Sequence, residues 1–270
     1  MDLTDKHYVF VCGLHRSGTS LLHRALRGHP AISGFAGTGA PEDEGQHLQT
    51  VFPPASRFGG PGSFCFAEGA RLDETSPLVS PENRAKLLSE WERYWDADKK
   101  VRVEKSPPNL IRMRFLQAMF PGSRFVIIVR HPLAVGYATQ KWSKIGIREL
   151  VEHWAAGHRI MLQDLPFIRQ WRMLRYEDFV QNPRSVLDEL CRFIGVKPVT
   201  PAEPVASDTN DKYFRRWEEE SGADPVLAQR ISLLHELPGR FGYGFMKPYV
   251  NQCLLPAASD SGMMERLFHA

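Results

Sequence analysis

Phe125 to Val129 is an uninterrupted apolar run, F-V-I-I-V, with no polar residue alternating among its members. A strand half exposed to water would alternate, so this one must be covered on both faces, which is the situation of a strand inside a parallel sheet. The same pattern stands at 8–12, Y-V-F-V-C, with shorter candidates at 101–103 and 171–174. Helical spacing fills the intervals. Leu21, Leu22, Ala25 and Leu26 share a face that ends at Gly28 and Pro30, and Leu87, Leu88, Trp91 and Trp95 repeat the period after Pro81. Further helices are expected at 110–120, from Pro132 to about Trp142, at 148–163 and at 183–195. Strands alternating with helices predict an α/β fold, a parallel sheet with helices on both faces, rather than an α+β arrangement.

Ligands of such sheets bind beyond the carboxyl ends of the strands. Three of the strands end in polar clusters: Gly13 to Ser20, Glu104 to Ser106, and Arg130-His131. The first reads G-L-H-R-S-G-T-S, a P-loop-like G-x-x-x-x-G in which Thr19 holds the place of the usual lysine. It brings backbone N–H groups to a helix N-terminus, with Arg16 and the hydroxyls of Ser17, Thr19 and Ser20 beside them, and this is an anion cradle. A glycine turn that merely joins strand to helix is the bland alternative. Without the lysine, and with no strand ending in a Walker B acid, since the strands end in Glu104-Lys105, Arg130 and Arg175-Tyr176, the expected ligand is a short anhydride handled with no metal required.

Between Gly34 and Gly69 there are eight glycines and four prolines in 36 residues, with no sustained period. This predicts a loop-rich insertion at about 34–75, with a helical or loop cap at about 205–270 completing a single domain over 1–270. The net charge of +3 carries no long one-sign block, so no nucleic-acid partner is expected. Cys12, Cys65, Cys191 and Cys253 have neither disulfide-framework nor zinc spacing, and no stretch has the length of a membrane span; a cytoplasmic protein is expected. Oligomeric state has no signal in the sequence. His15, His29 and His131 lack metal-ligand spacing and read as structural or loop residues.

On these motifs the chain resembles the sulfotransferases that use 3′-phosphoadenosine 5′-phosphosulfate (PAPS) and release the 3′,5′-bisphosphate (PAP). Their 5′-phosphosulfate loop reads P-R-S-G-T-T, and here His15 to Ser20 reads H-R-S-G-T-S. Their 3′-phosphate signature is R-[DH]-P with a serine eight residues after the arginine. Arg130 matches; Ala138 stands at the serine position, and Thr139 is the nearest hydroxyl, about 100° further round a helix. Glu104-Lys105-Ser106-Pro107 is similar to their E-K-[TS]-P, and Arg175-Tyr176-Glu177-Asp178-Phe179 to a segment whose tyrosine lies by the adenine. The similarity spans about 8–245 and is closer to the tyrosylprotein and carbohydrate branch than to the small-phenol branch.

The resemblance implies that Arg16, Ser17, Gly18, Thr19 and Ser20 hold the 5′-phosphosulfate, Arg130 and Thr139 the 3′-phosphate, and Tyr176 the adenine. Lys105 would stabilise the leaving bridge oxygen. A general base is expected from P-E-D-E-G-Q-H at 41–47, with Glu44 first, Glu42 second and His47 third. Two rivals stay open: an atypical P-loop kinase or triphosphatase, and a non-catalytic nucleotide-binding protein on the same fold. The acceptor hydroxyl, whether of a glycan, a lipid-linked sugar, a peptide tyrosine or a small natural product, is left undetermined. Phe52, Phe58, Phe64 and Phe66 either line its pocket or pack the insertion onto the core.

Overall fold

A computed structural model describes residues 6–199 and 210–245 of the chain. Five strands, β1 (His7–Cys12), β2 (Ile32–Gly34), β3 (Val101–Lys105), β4 (Arg124–Val129) and β5 (Trp171–Arg175), form one sheet in the order β2-β3-β1-β4-β5. Every pairing is parallel, and β1 lies at the centre with Val9 opposite both Val103 and Arg124.

The unalternating apolar runs have the meaning the sequence suggested. Tyr8, Phe10 and Cys12 enter a core on one face of the sheet, Val9 and Val11 a second core on the other, because successive residues of a strand point to opposite sides. The first core is closed by α2 (Pro81–Glu92), α3 (Met113–Met119) and α5 (Ile147–Asp164), through Trp91, Phe115 and Trp154. The second is closed by α1 (Thr19–Arg27), α6 (Tyr176–Gln181) and α7 (Pro183–Ile194), through Leu22, Phe179 and Leu190. A third cluster joins α4 (Pro132–Thr139) and α5 to α8 (Asp211–Ala223) and α9 (Pro225–Ser232) around Tyr137 and Trp217; α10 (Glu236–Arg240) follows.

Several elements differ from the sequence reading. The edge strand β2 has only three residues and a single large apolar side chain, Ile32, too little for a period-2 signal. The expected helix at 110–120 is a 3₁₀ segment, Pro107–Ile111, followed by α3, since two prolines start the turn and Arg112 breaks helical geometry with φ −133°. The helix from Pro132 stops at Thr139, and the six-residue α6 was too short to show a period. The Gly/Pro-rich segment is folded rather than structureless. Four 3₁₀ turns follow one another at Pro41–Asp43, Gly45–His47, Ala55–Phe58 and Phe64–Phe66, and Phe52 and Phe64 are buried in the first core.

Cys12, Cys65 and Cys191 are free and buried. Cys253 and the parts of the expected cap at 205–209 and 246–270 lie outside the described residues. Among the described residues no helix is long and apolar enough to cross a membrane.

Candidate active site

The loop leaving β1 reaches α1 through Gly18, which caps the helix with φ +98°, a conformation that costs glycine nothing. A Cβ at this position would lie 2.5 Å from the Tyr176 ring, so the loop and the start of α6 approach as closely as two elements can. Arg16 also has positive φ, at 68°. Its carbonyl accepts a hydrogen bond from Arg130 Nη1 (2.9 Å) and its guanidinium lies 4.6 Å from the Trp142 ring centroid. Arg16 Nε and Ser17 Oγ are buried without a hydrogen-bond partner among the described residues. A buried donor left unmade costs on the order of 1–3 kcal/mol, so two of them at one loop mark a place prepared for something else to accept.

The end of β3 supplies Lys105. Its ammonium donates to Glu42 O (2.8 Å), Ser20 Oγ (3.2 Å) and Glu44 Oε1 (3.2 Å), and its side chain is wholly buried. Glu44 is held on its other oxygen by Gln46 Nε2 (2.5 Å), with His47 Nε2 3.8 Å away. Glu42 has left-handed φ (53°), which turns its carbonyl to Lys105 and leaves its carboxylate accepting from Ser20 Oγ at 3.0 Å. The three candidate bases of 41–47 therefore have distinct places. Glu44 touches the cation directly, Glu42 touches the loop, and His47 flanks Glu44.

The end of β4 supplies Arg130, whose Nε and Nη2 donate to Asn210 Oδ1 (2.9 and 2.6 Å). Its guanidinium stands 4.1 Å from the Tyr176 ring centroid and 5.8 Å from that of Tyr213. Burial lowers its pKa, yet arginine keeps its charge at any physiological pH. Asn210 in turn donates to Glu177 Oε1 (2.7 Å), which also accepts from the His131 amide. His131 is structural: Nδ1 accepts from Leu133 N at the start of α4, and Nε2 pairs with Gly244 O.

These strand ends open on one cavity of about 790 Å³. Arg16, Thr19, Arg130, Tyr176, Lys212 and Tyr213 line it, together with His15, Gln46, His47, Ala55, Ser56 and Pro61, and so do Ser20, Glu42 and Glu44. Lys105 lies one layer behind, covered by those last three. Thr139 is not brought in. Its hydroxyl donates to Val135 O (2.7 Å), and Ala138 is wholly buried, so α4 gives the cavity neither serine nor threonine. The lysines and arginines that line the cavity are Arg16, Arg24, Arg130, Lys141 and Lys212. None of the four insertion phenylalanines lines the cavity: Phe52 and Phe64 are in the core, Phe58 packs against it and Phe66 is exposed.

His15 lines the wall as a neutral ring, its pKa lowered to about 3 by burial and then by the charges of His153, Lys105, His47 and Arg16. Sequence reasoning missed Asn210, Trp142, Gln46 and Lys141, each a single polar or aromatic residue in a loop or at an element's end. Among the described residues no group of three His, Cys, Asp or Glu side chains is placed to hold a metal ion.

Residues 9–201 match the model of the sulfotransferase family. The protein-tyrosine sulfotransferase 2 of Gallus gallus is 24% identical over 200 residues, 70% of this chain and 51% of the relative, so the chain spans about half the length of the curated relative it matches. Among solved structures, the sulfotransferase domain of the Synechococcus PCC 7002 olefin synthase superposes with a TM-score of 0.50 at 20% identity. The match covers 79% of this chain and 89% of that domain, a likeness of fold.

Proposed function

Since the chain belongs to the sulfotransferase family, we propose that it transfers a sulfuryl group from PAPS to an acceptor hydroxyl in this cavity. The observation that carries the reading is the junction at Lys105, where a buried cation, a carboxylate and the first-turn hydroxyl of the loop meet within 3.2 Å. That junction is a leaving-group cation beside a base, at the edge of an anion cradle.

The residues present fit such a donor. Arg16 Nε and Ser17 Oγ have unused hydrogen-bonding capacity at the cradle. Arg130, Lys141 and Lys212 bring further cations to the same cavity, and Tyr176, Tyr213 and Trp142 offer rings to a purine. When bound, PAPS supplies a sulfur whose bond to the bridging phosphate oxygen breaks as its bond to the acceptor oxygen forms. Glu44 takes the acceptor proton. Lys105, freed from at least one of its three partners, meets the charge left on the bridge oxygen, and Arg16 with the α1 amides holds the 5′-phosphate of the departing bisphosphate. We read the folded 34–75 segment as the acceptor-side insertion, because Gln46, His47, Ala55, Ser56 and Pro61 all come from it. Helices α8 to α10 are the described part of the cap. A reducing, cytoplasmic setting is supported by the three free thiols.

The direct test supplies PAPS and a panel of glycan, peptide-tyrosine and small hydroxyl acceptors. A gain of about 80 Da, the mass of SO₃, is expected on one of them. No gain on any acceptor, with PAPS recovered intact, would overturn the reading.

The nucleotide half is tested separately by titration calorimetry. PAP should bind well and ADP, which has no 3′-phosphate, much more weakly. Arg130→Ala should weaken PAP about 10- to 100-fold, the equivalent of one charge-assisted hydrogen-bond pair, while ADP affinity stays put. Equal wild-type affinities for PAP and ADP would contradict the assignment of Arg130.

A further inference from the structure

We propose that Glu104 is a positioning residue for the transfer step: from behind β3 it fixes the 44–46 turn, and so aims the Glu44 carboxylate at Lys105 and the cavity. The proposal rests on the reading of Glu44 as the base.

Glu104 and Lys105 are neighbours on a strand and project to opposite sides of it. Lys105 turns toward Ser20 and Glu44. Glu104, 1% exposed, turns to the back of the same turn and lines no part of the cavity. Its Oε1 accepts from the Gly45 amide (3.0 Å) and from Ser106 Oγ (2.6 Å), and its Oε2 from Asn109 Nδ2 (2.6 Å). Ser106 Oγ accepts in turn from the Gln46 amide (2.9 Å), so two consecutive backbone donors end on this carboxylate, one directly and one through a hydroxyl. Asn109 also reaches Val11 O on the central strand.

The approach is close enough to dictate sequence. A Cβ on Gly45 would lie 2.5 Å from Glu104 Oε1, so only glycine lets the turn sit there. Trp91 Nε1 closes the turn from above by donating to Gly45 O (3.0 Å).

Glu44 and Gln46 bracket the clamped peptide. Gln46 Nε2 holds one Glu44 oxygen, while Gln46 Oε1 accepts from Ala55 N (2.7 Å). The orientation of the base therefore depends on where residues 45 and 46 are pinned, and Glu104 pins both. Every group that bonds Glu104 is a donor, which suits an ionised carboxylate that can only accept. Burial pushes its pKa up to about 7, so this carboxylate is held by hydrogen bonds against a strong desolvation cost, an arrangement a purely structural turn does not need.

The test compares Glu104→Gln, Glu44→Gln and the double variant in the full chain, using single-turnover transfer to the acceptor found in the panel and the dissociation constant of PAP. Glu104→Gln is expected to slow transfer at least 10-fold with PAP affinity within twofold of wild type, because the clamp aims a base and does not touch the nucleotide. The double variant should be no slower than Glu44→Gln alone, since both changes act through one carboxylate. Ser106→Ala, which removes the relay hydroxyl and keeps Glu104, should slow transfer less and again spare PAP binding. Transfer by Glu104→Gln within twofold of wild type overturns the proposal. So does a double variant slower by the product of the single losses, or a loss of PAP affinity in step with the rate. If Glu44→Gln itself transfers at the wild-type rate, the base reading falls and the proposal falls with it.

Discussion

Lys105→Ala should lower kcat by about 10²- to 10³-fold while PAP binds nearly as well as to wild type. The size follows from the geometry of transition-state stabilisation: a preorganised cation aimed at an oxygen that gains charge only as the bond to sulfur breaks contributes on the order of 2.7–4 kcal/mol. The rate constant therefore suffers and ground-state binding does not. The structure adds a complication that the experiment must separate. Lys105 is the buried partner of Glu44, and deleting one member of a buried pair leaves the other uncompensated. Lys105→Met, which keeps the bulk behind Ser20 and Glu42, isolates the charge. It should show the same loss of kcat with a smaller loss of stability. A Lys105→Met enzyme within twofold of wild type would remove the lysine from the mechanism and leave it a counter-ion for Glu44.

The clusters at Gly13 to Ser20 and at Arg130-His131 were legible because they follow uninterrupted apolar runs, and a run buried on both faces fixes both the sheet type and the end at which its ligands sit; the third follows a shorter run, V-R-V, broken by Arg102. Arg16, Lys105 and Arg130 are far apart in sequence, yet β1, β3 and β4 are adjacent in the sheet and deliver them to one place. The choice among Glu42, Glu44 and His47 was not legible. All three lie within six residues, and what separates them is a left-handed φ at Glu42 together with the Glu104 clamp on Gly45, neither of which has a compositional signature. Thr139 failed for a related reason. Its threonine hydroxyl satisfies itself on the carbonyl one turn back in α4, an option any helical serine or threonine has and no motif records. Asn210, 80 residues from the arginine it holds, is the common case of a lone polar side chain fixed only by tertiary structure.

Acid should unfold this protein early, with the urea midpoint falling steeply between pH 7.5 and pH 5.5. Five histidines are held as neutral rings, four of them buried (His23, His131, His153 and His158) and His15 at the cavity wall. Burial lowers His15, His23, His131 and His158 to about 3 and His153 to about 4, against an ordinary 6.5. The geometry explains why three of them cannot charge cheaply. His158 Nδ1 pairs with Trp154 O, leaving Nε2 buried with no partner for a new proton. His131 Nδ1 and His153 Nε2 already accept from backbone amides, which protonation would repel. Between pH 6.5 and about 4 the unfolded chain binds protons at these rings and the folded chain does not, so stability is fully present above 6.5 and is lost as pH falls. Each ring contributes about 1.4 kcal/mol per pH unit inside that window. Glu104 works in the opposite sense: its raised pKa of about 7 gives a contribution present below the ordinary 4.5 and lost as pH rises through 7. Asp164, also raised by burial, acts in the same sense, so two groups stand against five. One unit below pH 6.5 the five slopes together are comparable with the ~5–15 kcal/mol that holds a domain folded. His158→Phe, which fills the slot against Trp154 without titrating, should flatten the slope measurably. Equal urea midpoints for the wild type at pH 5.5 and 7.5 would mean that these rings take up protons in the folded state, and that the core around them admits water.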